Sequence, residues 1–264
     1  MSATIEIAPS DTAPTLAVLG IDFFAGTASE AVKRLGSEGG CVVIPASPAL
    51  TKLNFDESYR DALQQADVVL PDSELLVLLS RMAIGNRLHK ISGIDYLNSL
   101  LGTPSFNPDD NVLWLVSSEK AKRNAIQWLR TKDWRVADNH FEVIAAESAP
   151  QNQHALLLEI ENRQPRHIVI ALRGSGQEQL GIYLRDYLLY RPSIHCVGAA
   201  LGFLSGDEHR IPKWNQRHHL GWLARLLAQP RMILPRLMIG LALTWMVCRY
   251  RTELPALRQR WSDL

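Results

Sequence analysis

Cysteine is scarce in this chain: Cys41, Cys196 and Cys248 are the only three in 264 residues, and no two form a C-x-x-C pair. That argues against a disulfide framework and a structural zinc site, and for a reducing compartment. Also missing is the run of about 20 apolar residues that crosses a bilayer. The longest apolar run, Leu237 to Cys248, has twelve residues with Thr244 among them. As a helix it rises about 18 Å, against about 30 Å of hydrocarbon. The opening MSATIEIAPSDTAPT has neither a basic segment nor an apolar run, so no secretory signal is read there and the protein is expected to face the cytoplasm. No Asp-x-Asp pair is present to hold a divalent cation against a nucleotide. His209, His218 and His219 cluster without a third kind of ligand, so neither a metal nor another cofactor is expected. Internal repeats and low-complexity stretches are absent too. What is there is ordinary for a folded protein: 47% apolar and 21% charged residues.

Acidic residues are unevenly spread. From Arg210 to Arg260 there are ten Lys or Arg and one acid, Glu253, while residues 1–209 hold 18 basic and 25 acidic residues. A net charge of +1 thus hides a tail near +9 on a body near −7. A basic, apolar tail suits an anionic surface, most simply a membrane leaflet carrying phosphate-bearing substrates. Nucleic acid is disfavoured, because the basic residues are interleaved with aliphatic runs and no nucleic-acid module is recognisable. Leu237 to Cys248, flanked by Arg231, Arg236, Arg249 and Arg251, reads either as a helix lying in the membrane interface or as one packed on the body. Both readings accommodate Trp222 and Trp245, and the tail is compatible with a homo-oligomer.

Short apolar runs alternate with stretches of 3.6-residue spacing. Strands are expected at Thr15–Leu19, Cys41–Ile44, Val68–Leu70, Val112–Val116, Phe141–Ile144, His167–Leu172 and Ile194–Val197. Helices are expected at Ser29–Leu35, Tyr59–Ala66, Glu74–Met82, Ile94–Leu101, Ala121–Thr131, Gln151–Asn162 and Gln177–Leu189. This alternation predicts an α/β fold, Rossmann-like, with a mostly parallel sheet covered by helices on both faces and a C-terminal helical appendage. The composition break near Gly206 divides the chain into an α/β domain, 1–206, and a basic amphipathic appendage, 207–264.

Ligands of open α/β sheets sit at the carboxyl ends of the strands. Three such ends carry polar or glycine-rich residues: Pro45-Ala-Ser-Pro48, Pro71-Asp-Ser-Glu74 and Arg173-Gly-Ser-Gly-Gln-Glu178. Asp72 has two readings, a general base for an attacking hydroxyl or the N-cap of the helix that follows. The Arg173–Glu178 loop is either a cradle for a pyrophosphate or a tight βα turn. Lys90-Ile-Ser-Gly-Ile-Asp95 opens another helix, with Ser92 or Gly93 as cap and Asp95 complementing the dipole.

Six ordered segments resemble the WecG/TagA/CpsF family of bacterial glycosyltransferases, over most of the chain from Leu19-Gly-Ile-Asp22 to Arg231. They are Val42-Val-Ile-Pro-Ala-Ser-Pro48, Ala66-Asp-Val-Val-Leu-Pro-Asp72-Ser73, Lys90-Ile-Ser-Gly-Ile-Asp95, Arg173-Gly-Ser-Gly-Gln177-Glu178, the run Val197 to Pro212, and Leu220-Gly-Trp222-Leu-Ala-Arg225 through Pro230-Arg231. The resemblance implies a Rossmann-like body and transfer of an N-acetylmannosamine-type sugar, or its uronic acid, from a UDP-sugar. The implied acceptor is a polyprenyl-diphosphate-linked saccharide of surface or exported polysaccharide. The implied place of action is the inner face of the cytoplasmic membrane, where the protein is peripheral.

It further implies Asp72 as the catalytic base. Ser47, Lys90, Gly93, Asp95, Gln177 and Glu178 would line the substrate pocket, and Arg210 and Arg225 would reach the leaving diphosphate. Several positions depart from the family pattern. Pro45 and Ser47 stand for Thr and Asn, Ser73 for Gly, Lys90 for Arg, Gly202 for Asp and Gly221 for Glu, while Arg173, Ser175 and Gly176 alter the fourth motif. Lys90 cannot grip a phosphate bidentately as Arg does. The alternative reading of these departures is a weakened or inactive relative that serves as a membrane-bound scaffold or binding subunit for polysaccharide assembly.

Overall fold

Apolar runs and amphipathic stretches alternate in space as they do in sequence. In the computed structural model the described residues are 14–85, 87–104, 106, 111–144, 150–172, 176–207 and 230–257. The strands are β1 (Thr15–Val18), β2 (Ile21–Phe24), β3 (Gly40–Val43), β4 (Val68–Val69), β5 (Val112–Val116), β6 (Phe141–Val143), β7 (His167–Ala171) and β8 (Ser193–Cys196). The helices are α1 (Ala28–Glu38), α2 (Ser47–Leu50), α3 (Glu57–Gln65), α4 (Glu74–Ala83), α5 (Gly93–Leu101), α6 (Glu119–Arg130), α7 (Pro150–Arg163), α8 (Gly176–Tyr187), α9 (Ala200–Ser205) and α10 (Pro230–Tyr250). The strands form one sheet in the order β1-β2-β4-β3-β8-β7-β5-β6. Only β1 and β2 run antiparallel; the remaining pairs are parallel.

The expected α/β architecture is the one found, with three additions, β2, the four-residue α2 and α9. β2 was not foreseen: Leu19 and Gly20 take φ of 54° and 70° and turn the chain back on itself, where the sequence shows no Asn-Gly or Asp-Gly hairpin signal. The six-residue α9 is too short to display a helical period.

Successive residues of each central strand feed opposite layers. Cys41 and Val43 point into a core shared with Tyr59 of α3, Leu76 of α4, Leu180 of α8 and Leu243 of α10. Val42 and Ile44 point the other way, toward Leu35 of α1, Leu97 of α5, Leu129 of α6 and Leu201 of α9. After β3 the chain leaves toward the first layer through α2 and α3, and after β8 toward the second through α9. The two strands are neighbours, so a crevice opens between their carboxyl ends. This is the switch point at which open α/β sheets bind ligands.

A buried polar chain fastens α5 to the sheet. Tyr96 Oη lies 2.8 Å from His195 Nδ1, and His195 Nε2 lies 3.2 Å from His167 Nδ1. Burial, helped by the neighbouring His167, holds the His195 pKa well below the usual imidazole range, so the ring is neutral.

α10 extends beyond the apolar run read from the sequence, passing through Pro235 to start at Pro230. Leu243, Met246 and Val247 are buried against the body, where the helix meets α4 and α2. Leu237, Met238, Leu241 and Trp245 stay exposed. Beyond the helix, Leu19 N–H donates to Arg251 O at 2.7 Å and Gly20 N–H to Thr252 O at 3.0 Å. Leu254 closes over Gly20, leaving no space for a Cβ there.

Candidate active site

Asp72 follows β4 directly, and its two readings separate once the next residue is placed. Ser73 is the N-cap of α4: its Oγ accepts from Leu76 N–H at 3.0 Å. Ser73 Oγ also meets Ser47 Oγ at 2.5 Å, tying the start of α2 to the start of α4. The Asp72 carboxylate, relieved of capping, instead accepts the backbone N–H of Gly93, the first residue of α5. Burial pushes its pKa from 3.8 to about 6; Lys90 and the Gly93 N–H oppose that rise, while Asp95 and Glu74 add to it. A half-buried carboxyl of this kind has the pKa of a general base working near neutrality.

The Lys90–Asp95 segment is thereby placed beside Asp72. Ile91 N–H donates to Pro71 O at 3.0 Å, aligning the segment with the end of β4. Lys90 Nζ bonds Glu74 Oε1 at 2.9 Å. Ser92 is the cap: its Oγ accepts from Asp95 N–H at 3.1 Å while Asp95 Oδ2 receives the Ser92 hydroxyl and N–H. The Asp95 carboxylate thus closes a capping box. Gly93 permits a close approach: a Cβ there would lie 3.1 Å from Val197 O and 3.2 Å from Ala200 Cβ, tight enough that its neighbours would have to shift. Through Gly93, the base candidate reaches the carboxyl end of β8. A groove of about 1140 Å³ opens on the α1 side of Lys90 and Asp95, lined also by Thr27, Glu30, Lys33 and His89.

Across the crevice, at the end of β7, α8 begins with Gly176. Gln177 and Glu178 part company here. The Gln177 amide lies over Gly198, at the end of β8: a Cβ placed on Gly198 would sit 3.0 Å from Gln177 Nε2. Glu178, expected to line the pocket, is 2% exposed and faces the layer of Tyr59 and Cys196, with the Lys52 charge nearby. Desolvation raises its pKa to about 7, while its own backbone N–H, the Gln177 amide and Lys52 pull the other way.

The structure therefore brings Asp72, Lys90, Gly93 and Asp95 together around one helix start, with Ser47 joined to them through Ser73. Gln177 stands on the far side of the β3–β8 crevice. Arg173, Arg210 and Arg225 lie outside the described residues. Sequence reading gave no site role to Ser73, Gly198 or Lys52. The glycine directly after the β8 run was the one available signal among these, because a φ of +58° there excludes most side chains.

An open, mostly parallel sheet with a switch point between β3 and β8 defines a Rossmann-like α/β fold. Residues 16–256 match the glycosyl transferase WecG/TagA/CpsF family, and the chain belongs to that family. It is 25% identical over 194 residues to the N-acetylglucosaminyldiphosphoundecaprenol N-acetyl-beta-D-mannosaminyltransferase of Bacillus subtilis (strain 168), covering 72% of this chain and 73% of that protein. The enzyme of the same description from Bacillus spizizenii is 25% identical over 201 residues, covering 74% of each chain.

Proposed function

We propose that this glycosyltransferase moves an N-acetylmannosamine-type sugar from a UDP-sugar to a polyprenyl-diphosphate-linked saccharide, with Asp72 as general base. The observation that carries the reading is the Asp72 carboxyl: freed from capping, raised to about 6 and held by the α5 N-terminus at the edge of the crevice. Asp72 takes the proton from the acceptor hydroxyl as its oxygen bonds the anomeric carbon. The bond to the nucleoside diphosphate breaks, and UDP leaves with the electron pair. β4, β3, β8 and β7 are neighbours, so the tips that bear Asp72 and Gln177 border the same end of the sheet, both in reach of the carboxyl end of β8. The names of the two Bacillus relatives support both the sugar and the diphosphoundecaprenol acceptor.

No helix of the described residues is long and apolar enough to cross a membrane. The exposed apolar residues of α10, together with Leu78 and Met82 on the neighbouring α4, support peripheral docking on the cytoplasmic face. α4 begins beside Asp72, so a docked helix would bring the lipid-anchored acceptor toward the base. The scaffold reading draws on Lys90, whose ammonium bonds Glu74 at 2.9 Å. UDP release from UDP-N-acetylmannosamine with an undecaprenyl-diphosphate N-acetylglucosamine acceptor decides between them. Turnover that vanishes in Asp72→Asn is the expected result; full turnover in that variant removes Asp72 from the chemistry, and no turnover in the parent leaves the scaffold.

A further inference from the structure

The groove of about 1140 Å³ on the α1 side of Lys90 and Asp95 has no part in the chemistry described so far. Thr27, Glu30, Arg34 and Ser37 line it at helical spacing, so one stripe of α1 forms a wall about 15 Å long. His89 to Ile91 and Asp95 line it as well. Its volume is above the roughly 300–1,000 Å³ of a site for a drug-sized ligand.

One end of the groove adjoins the base. Asp95 sits in the first turn of α5, whose first residue, Gly93, gives its N–H to the Asp72 carboxylate. Asp72 follows β4, which has β3 on one side and β2 on the other. The β3–β8 crevice opens on the β3 side, whereas α1 follows β2 and carries the groove on the other. In a direct displacement the incoming oxygen and the leaving group lie on opposite faces of the anomeric carbon. With the donor in the crevice, the acceptor enters from the groove.

The walls suit sugar hydroxyls. Lys33, Arg34 and Lys90 are matched by Glu30, Glu38 and Asp95, so no excess of positive charge awaits a phosphate chain. Among the described residues Ile91 is the one large aliphatic side chain there, too little to cover a polyprenyl tail. Ser37 Oγ spends its hydrogen on the carbonyls of Lys33 and Arg34, 3.1 and 3.0 Å away, and keeps lone pairs for a hydroxyl donor. The Arg34 guanidinium, steadied by Glu38 at 3.5 Å, offers N–H donors in a rigid fork.

We infer that this groove seats the saccharide of the acceptor, with the terminal sugar at Asp72 and further sugar residues along α1. A single-sugar acceptor fills only the end beside Asp72; each sugar behind it adds contacts. This rests on the transfer reading proposed above and names the extent of its acceptor.

Calorimetric titration of the full chain with N-acetylglucosamine and its two- and four-residue oligomers, all neutral and free of lipid, tests it. Affinity should rise by about tenfold or more from monomer to tetramer, the worth of one hydrogen bond to a charged group. Ser37→Trp, which fills the groove from an exposed position, and Arg34→Ala should each flatten that rise, while Asp72→Asn keeps it. Affinity that does not grow with length overturns the inference, and so does a rise that survives in either groove variant. Inorganic pyrophosphate is the control for an anion site: it should leave the tetramer bound, and displacement of the tetramer overturns the saccharide assignment. A chain that releases UDP with a single-sugar acceptor but shows no length dependence overturns this inference alone. A chain that binds the tetramer through Arg34 and Ser37 yet releases no UDP keeps the saccharide groove and overturns the transfer reading.

Discussion

A carboxyl with a raised pKa weakens the fold wherever it is ionised. Asp72 passes from 3.8 in the unfolded chain to about 6 in the folded one, so its neutral form is favoured by folding. Stability is full below about pH 4 and is lost as pH rises through about 6. Asp72→Asn should accordingly raise stability by about 1 to 3 kcal/mol at pH 8, with the gain vanishing toward pH 4, in paired denaturant titrations at the two pH values. The same ionisation should make transfer activity climb through about pH 6 in a pH–rate profile of the parent, because only the ionised carboxylate accepts a proton. Asp72 was legible from its place after the Val68–Leu70 run and before a helix. Its cap-or-base ambiguity was not, because Asp-Ser offers two cap residues in a row and only the geometry shows that Ser73 took the role. Glu178 was named through the resemblance alone, and nothing local in the sequence reveals that it turns under the helix, where it is buried.

Helices here do more than cover the sheet; two of them place candidate site residues at their first turns. α5 carries Gly93 to Asp72, and its grip on the sheet runs through Tyr96 and His195. Tyr96→Phe would leave the His195 nitrogen without its 2.8 Å partner, costing about 1 to 3 kcal/mol by thermal or chemical unfolding. Partial loosening of α5 should also lower kcat. Long, strongly periodic stretches such as α6, the fully buried strand β5 and the nearly buried β7 were readable, since burial on both faces leaves a largely apolar run. The β1–β2 turn was not, because it places leucine at positive φ. α10 was read too short because Pro235 looked like a break. Its two faces split the competing readings: Leu243→Ala should cost about 2 to 5 kcal/mol as a core truncation. Leu241→Glu with Trp245→Glu should leave unfolding unchanged and abolish co-sedimentation with vesicles.

At the scale of the molecule, charge and apolar surface are segregated. The acidic body and the tail near +9 should make adsorption to vesicles containing anionic lipid fall steeply with added salt, while neutral vesicles show little salt dependence. Sedimentation across a salt series measures this. The last described turns give the experimenter a warning. Arg251 and Thr252 supply the carbonyls that satisfy the hairpin at Leu19 and Gly20, and Leu254 plugs the gap above that glycine. The β1–β2 hairpin and the turn after α10 are thus laced together at the rim of the sheet. Shortening the protein upstream of Arg251 would unlace that rim as well as remove the face proposed to dock on lipid, and the resulting loss of activity would report a frayed edge. Lipid attachment is therefore to be probed by recolouring the outward face of α10 residue by residue, with the lacing left whole.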